Sequence, residues 1–133
     1  MTYETIQRTI YKLLNIRELY RTPENWGQND NPDERAVPLD QAFALVGIDS
    51  HPYQRNLGAD QIYSGDLDRG KIPEPVWFVC QAMNEIAPEF EGLIHKWNDA
   101  LGRTHEEVLD LVMAAINLAK EERAQIWASD ISF

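Results

Sequence analysis

The chain has 133 residues, 44% hydrophobic and 26% charged, a composition that excludes a disordered tail and suits one folded domain spanning residues 1–133. Its formal net charge is −10, and residues 61–133 hold 13 of the 22 acidic groups. Such a field disfavours direct binding to nucleic acid and to anionic membranes, because polyanions are bound by clustered Lys and Arg that displace counterions.

Thr2 to Tyr20 places Ile6, Ile10, Leu13, Leu14 and Arg17 at helical spacing behind Thr2 as a cap, which predicts a first helix. Glu4, Arg8, Lys12, Arg17 and Glu18 interrupt its apolar positions, so it does not read as an export signal. No run is long enough to span a bilayer. From Arg21 to Glu34 the chain is rich in turn residues and lacks a periodic apolar face, which predicts a long loop. Trp26 stands in it, an aromatic whose burial the pattern does not specify. Pro38 starts a short helix through Leu39, Ala42, Phe43 and Val46, and Gly47 stops it. Ile48 to Pro75 reads as a second excursion, with a turn of helix around Asp60 to Tyr63.

Pro75 opens a helix containing Val76, Trp77, Phe78, Val79, Cys80, Ala82, Met83, Ile86 and Ala87. Its polar residues Glu74, Gln81, Asn84 and Glu85 share one narrow face, so the helix must be largely buried. Pro88 breaks it, and Phe90, Leu93, Ile94 and Trp97 predict a further short helix over Glu89 to Trp97. The last helix begins at Thr104. No strand-length alternation competes, so the expected fold is all-α, a single irregular bundle of about five helices with two long loops.

The start of the last helix is sharply marked, because Thr104 followed three residues later by Glu107 forms a capping box. Val108, Leu111, Val112, Ala115, Leu118, Ala119 and Ile126 then make one apolar stripe. A flank of Leu109, Met113, Ile116 and Trp127 widens the arc beyond what one neighbouring helix covers. Two readings explain it. The favoured one is a central helix with neighbours of the same chain on both sides; the other is an exposed contact for a homodimer or protein partner.

Trp97-Asn98-Asp99, Gly102-Arg103-Thr104 and Glu107-Val108 resemble the C-terminal segment of a family of small bacterial and phage proteins, a domain of unknown function. The order upstream is similar as well: an N-terminal helix, a loop with a Trp in Asn25-Trp26-Gly27, then the Ala- and Leu-rich helix Leu39 to Val46. This likeness covers about three quarters of the chain, and only the piece from Trp97-Asn98-Asp99 to Gly102-Arg103-Thr104 is specific. Family members often carry a Cys just before the short helix, where this chain has Ala36-Val37, so a cysteine-based role there does not transfer. The resemblance implies a helical fold and no established activity.

Candidate chemistry is sparse. Asp99, Arg103 and His105 gather in one turn beside a helix N-terminus, where backbone N–H groups favour an anion, so they are the candidate ligand-binding residues. Glu106 and Glu107 oppose an anion, and Asn98 and Asp99 are favoured turn formers, so a structural role outweighs the binding one. Cys80 is the chain's single cysteine, cannot form an internal disulfide, and is better read as inert core than as a nucleophile. Its isolation and the absence of an export signal point to the cytoplasm. His51, His95 and His105 lack zinc spacing, and Asp66-Leu67-Asp68-Arg69-Gly70 fails the calcium-loop pattern, so no metal or other cofactor is expected. Adjacent Glu106 and Glu107 point apart on a helix and do not make an acid–base pair. Trp26, Tyr53 and Arg55 are loop residues that either anchor a partner or pin their own loops.

The expected function is that of a small acidic helical protein without catalysis of its own, which binds a protein partner or a second copy in an accessory, regulatory or inhibitory role. Partner contacts are expected at Trp26, Leu109, Met113, Ile116 and Trp127. The competing class is a small-ligand protein or enzyme with a polar site at the turn from Trp97 to His105.

Overall fold

A computed structural model describes residues 2–28, 35–48, 69, 72–90, 92, 94, 96, 97 and 103–131. Among the described residues there are four α-helices and no strand: α1 (Tyr3–Arg21), α2 (Leu39–Leu45), α3 (Glu74–Ile86) and α4 (His105–Ile131). The expected helix over Glu89 to Trp97 is met only in part among the described residues. Pro88 lacks an N–H and ends α3, and the chain continues as a single 3-10 turn, Pro88–Phe90. Beyond it, Ile94, Lys96 and Trp97 have helical backbone. Most of the second excursion lies outside the described residues, including Asp60 to Tyr63, Tyr53 and Arg55.

Local chemistry sets each helix. Thr2 caps α1, its hydroxyl accepting from the Thr5 N–H at 3.2 Å, and Ile6, Ile10, Leu13, Ile16, Leu19 and Tyr20 form the buried stripe. The helix ends where Thr22 donates backbone N–H and hydroxyl to the Glu18 carbonyl, just before Pro23. The expected loop then opens with a 3-10 turn, Pro23–Trp26. This turn and α2 finish alike. After α2, the left-handed Gly47 (φ 81°) donates to the Ala44 carbonyl and Ile48 to the Phe43 carbonyl, the 5→2 and 6→1 bonds of a Schellman motif. Ile48 and Phe43 are both buried, as the hydrophobic contact of that motif requires. Gly27 (φ 82°) and Gln28 repeat the pattern on Glu24 and Pro23.

The first turn of α4 is fixed by the capping box: the Glu107 N–H donates to the Thr104 hydroxyl and the Thr104 N–H to the Glu107 carboxylate, each at 3.3 Å. The 27 residues of α4 run about 40 Å at ~1.5 Å per residue. It packs chiefly on α1 and next on α3. Tyr20 of α1 lies near His105 at the start of α4, while Gln7 and Tyr3 meet Arg123 and Trp127 near its end, so α1 and α4 are antiparallel. Phe43, Phe78, Met83, Ile94, Leu111 and Ile116 are among the largest fully buried side chains of the core.

Leu111 is fully buried and Gly47 has open space around it, so their substitutions separate packing from backbone strain. Urea denaturation should show Leu111→Ala losing about 2–5 kcal/mol through transfer and cavity terms. Gly47→Ala, which meets nothing within 4 Å, should lose about 1–2 kcal/mol from left-handed strain alone.

Candidate functional site

The turn before α4 places Arg103 and His105 among the chain's own groups. Arg103 donates from Nε to the Trp97 carbonyl at 2.7 Å and from Nη1 to Glu107 at 3.0 Å. Its guanidinium lies over the Trp97 ring at 4.7 Å and the Phe90 ring at 5.2 Å, leaving the side chain 12% exposed. Its carbonyl accepts from the Ala36 N–H at 2.8 Å, which fastens the segment before α2 to the start of α4. His105 Nε2 sits 2.9 Å from the Gln28 side-chain oxygen, and that oxygen also accepts from the Val37 N–H. Tyr20 donates to the Val37 carbonyl at 2.6 Å; burial, reinforced by the negative charge of Asp40, pushes its phenol far above the usual range. Asp99, the third candidate ligand residue, lies outside the described residues.

The hydrogen bond from Arg103, aided by the Thr104 backbone N–H, holds the Glu107 carboxyl below the usual carboxylate range. Cys80 is buried in α3, and burial pushes its thiol up to about 12. Among the described residues no three His, Cys, Asp or Glu side chains cluster as a metal site would require.

The flank of α4 falls into two classes. Ile116 is fully buried, and Leu109 and Met113 are half-buried against the core. Ile116 is thereby removed from any surface the flank presents, because α1 covers that side: Arg123 and Trp127, on the same face, reach Gln7 and Tyr3. Trp127 remains 55% exposed, its ring 5.7 Å from that of Tyr3. Trp26, at the end of the 3-10 turn, is 39% exposed.

A second constellation was not visible in the sequence. Trp77, Phe78, Gln81, Asn84 and Glu85 of α3 and Leu118, Glu121, Glu122 and Gln125 of α4 line a groove of about 350 Å³. At its edge Arg69 binds Glu74 at 2.9 Å and both Glu122 oxygens, one at 2.7 Å, with its guanidinium over Trp77 at 4.2 Å and over Phe78 at 5.1 Å. The hydrogen bond that Arg69 donates to Glu122 raises the basicity of Arg69 above its usual level, against the opposing effect of burial.

The described residues thus define an all-helical protein in which Arg103 and His105 are bonded into the fold. A family model described as a family of unknown function, DUF6197, matches residues 17–118, and the chain belongs to that family. The match reaches from α1 to Leu118 of α4, so it contains the capping box and leaves out Tyr3 and Trp127. No curated protein and no solved structure matches the chain.

Arg103→Lys keeps the charge but loses the planar stack and the Nε geometry, so a denaturant titration should show a loss of about 1–3 kcal/mol. The lowered Glu107 pKa stabilises the fold fully above the ordinary Glu value, and this contribution disappears as pH falls through the folded-state value. Glu107→Gln should therefore flatten the acid limb of the stability–pH curve and leave its alkaline limb unchanged. Cys80 should resist a thiol reagent at pH 8 in the native protein and react fully once denaturant unfolds it.

Proposed function

We propose that this is a non-catalytic binding module, an acidic irregular helical bundle that docks on a protein partner in the cytoplasm as an accessory, regulatory or inhibitory subunit. One observation carries this reading: Arg103 and His105, the two candidate ligand residues of the polar turn that are described, are committed to the fold. Arg103 is bonded to Trp97 and Glu107 and covered by two rings, and His105 is bonded to Gln28. A ligand at the turn would have to displace those bonds. What the surface offers is apolar: Trp127, Ile86, Leu45, Tyr11 and Trp26 are all exposed. Large exposed side chains on a strongly acidic protein suit recognition of a partner with a basic, partly apolar surface. The same charge disfavours nucleic acid and anionic lipid, and among the described residues no helix is long and apolar enough to cross a membrane.

The test is copurification of the tagged full chain from its native host, followed by reconstitution of the complex from purified components. The expected result is a defined complex by light scattering that weakens as salt is raised. A strict monomer that recruits no protein, yet gains thermal stability from phosphate or a nucleotide in a manner lost in Arg103→Lys, would overturn it in favour of a ligand site at the turn.

A further inference from the structure

We propose that the groove between α3 and α4 is where that partner docks, and that it receives a cationic, amphipathic segment led by an arginine side chain. This rests on the binding-module reading and assigns it a place and a chemistry. The groove has an apolar floor and an acidic rim. Trp77, Phe78 and Leu118 supply ring and aliphatic surface, while Glu85, Glu121 and Glu122 supply carboxylates, and none of the described lining residues is Lys or Arg. Glu122 is engaged by Arg69, whereas Glu85 and Glu121 make no ion pair among the described residues. Like charges along one cleft repel one another, and a cation placed between them relieves that repulsion.

Arg69 displays the recognition within the chain itself. Its guanidinium is stacked on Trp77 and Phe78 and clamped by Glu74 and Glu122, the combination of aromatic face and carboxylate fork that suits arginine better than lysine. Farther along the same groove, Glu121 and Glu85 present carboxylates beside the apolar floor, and no guanidinium of the described residues pairs with them. From Trp77 to Glu85 the cleft covers about 12 Å of α3 at ~1.5 Å per residue, enough for two turns of a helix lying along it. The volume is at the low end for a small-molecule site, so such a segment would insert one or two side chains and lay the rest over the rim. A second copy of this chain is a poor occupant, since it brings another −10 charge toward an acidic cleft.

The experiment uses the full chain and a fluorescein-labelled amphipathic helical peptide of Leu, Ala and Arg, with a counterpart in which Glu replaces Arg, read by anisotropy at near-physiological salt. The Arg peptide should bind and the Glu peptide should not. Glu121→Lys and Gln125→Lys, both at exposed positions in the groove, should weaken binding at least about tenfold. Asp110→Lys makes the same charge change as Glu121→Lys about three turns away on α4, and should shift the affinity less than about twofold. Equal weakening by Asp110→Lys and Glu121→Lys would reduce the effect to net charge and overturn the groove. Binding of arginine amide as tight as that of the peptide would overturn the segment as occupant. The two readings fail separately: a reconstituted partner complex indifferent to Glu121→Lys and Gln125→Lys sinks the groove and leaves the binding module, whereas the lack of any protein complex sinks the module itself.

Discussion

The width of the apolar arc on α4 is the constraint from which the remaining packing follows. Val108, Leu111, Val112, Ala115 and Ala119 form its buried centre, Leu118 lies toward α3, and Ile116 with the half-buried Leu109 and Met113 lies toward α1. An arc this broad cannot be covered by one helix, because a single neighbour shields only a narrow seam. Both α1 and α3 are therefore needed. Having neighbours on two sides also fixes the rotation of α4, since turning it would expose one seam as it overpacked the other. The small side chains of Ala115 and Ala119 at the centre leave room for that double contact.

Axial position is a separate matter, and the polar turn settles it. The Thr104–Glu107 box fixes where the helix begins, and Arg103 ties that beginning to Trp97 behind it and, through its carbonyl, to Ala36. Gln28 then joins His105 to the Val37 N–H, and Tyr20 closes on the Val37 carbonyl. One end of the α1–α4 pair is thus bound by hydrogen bonds and the other by the Tyr3–Trp127 ring contact and the Gln7–Arg123 bond. A concentration of Trp, Arg, Thr and His that resembles a reactive site in the sequence is, in three dimensions, a joint.

What was legible in the sequence was what short-range chemistry decides. The cap at Thr2, the stop at Gly47 and the box at Thr104 involve partners within a few residues and stand where their patterns place them, and the helix read from Pro75 opens one residue earlier, at Glu74. Pro88 was legible as a break, but whether the chain resumes as a full helix depends on tertiary contacts that no local rule contains. Arg69 was harder still. Read in sequence it belonged to a failed calcium loop, and although Glu74 stands five residues on, the other half of the clamp, Glu122, lies 53 residues away on another element. The groove was hidden for the same reason, being made from halves on α3 and α4 that each looked like an ordinary polar face.

The two seams of α4 close differently. On the α1 side, the apolar seam is followed by the Arg123–Gln7 hydrogen bond and the ring contact of Trp127 with Tyr3. On the α3 side, the narrow polar face of α3, with Gln81, Asn84 and Glu85, is turned toward the polar shoulder Glu121, Glu122 and Gln125 of α4. Two polar faces cannot zip together by burial, because their groups lose water without gaining enough partners, and carboxylates add repulsion. Phe78 and Leu118 stand among the residues that line the groove between the two helices. Arg69 bridges one part of this opening by supplying the missing positive charge and an aromatic stack at once. Among the described residues that line the rest of the groove there is no second arginine or lysine, so Glu85 and Glu121 face its apolar side chains without an ion pair from those residues.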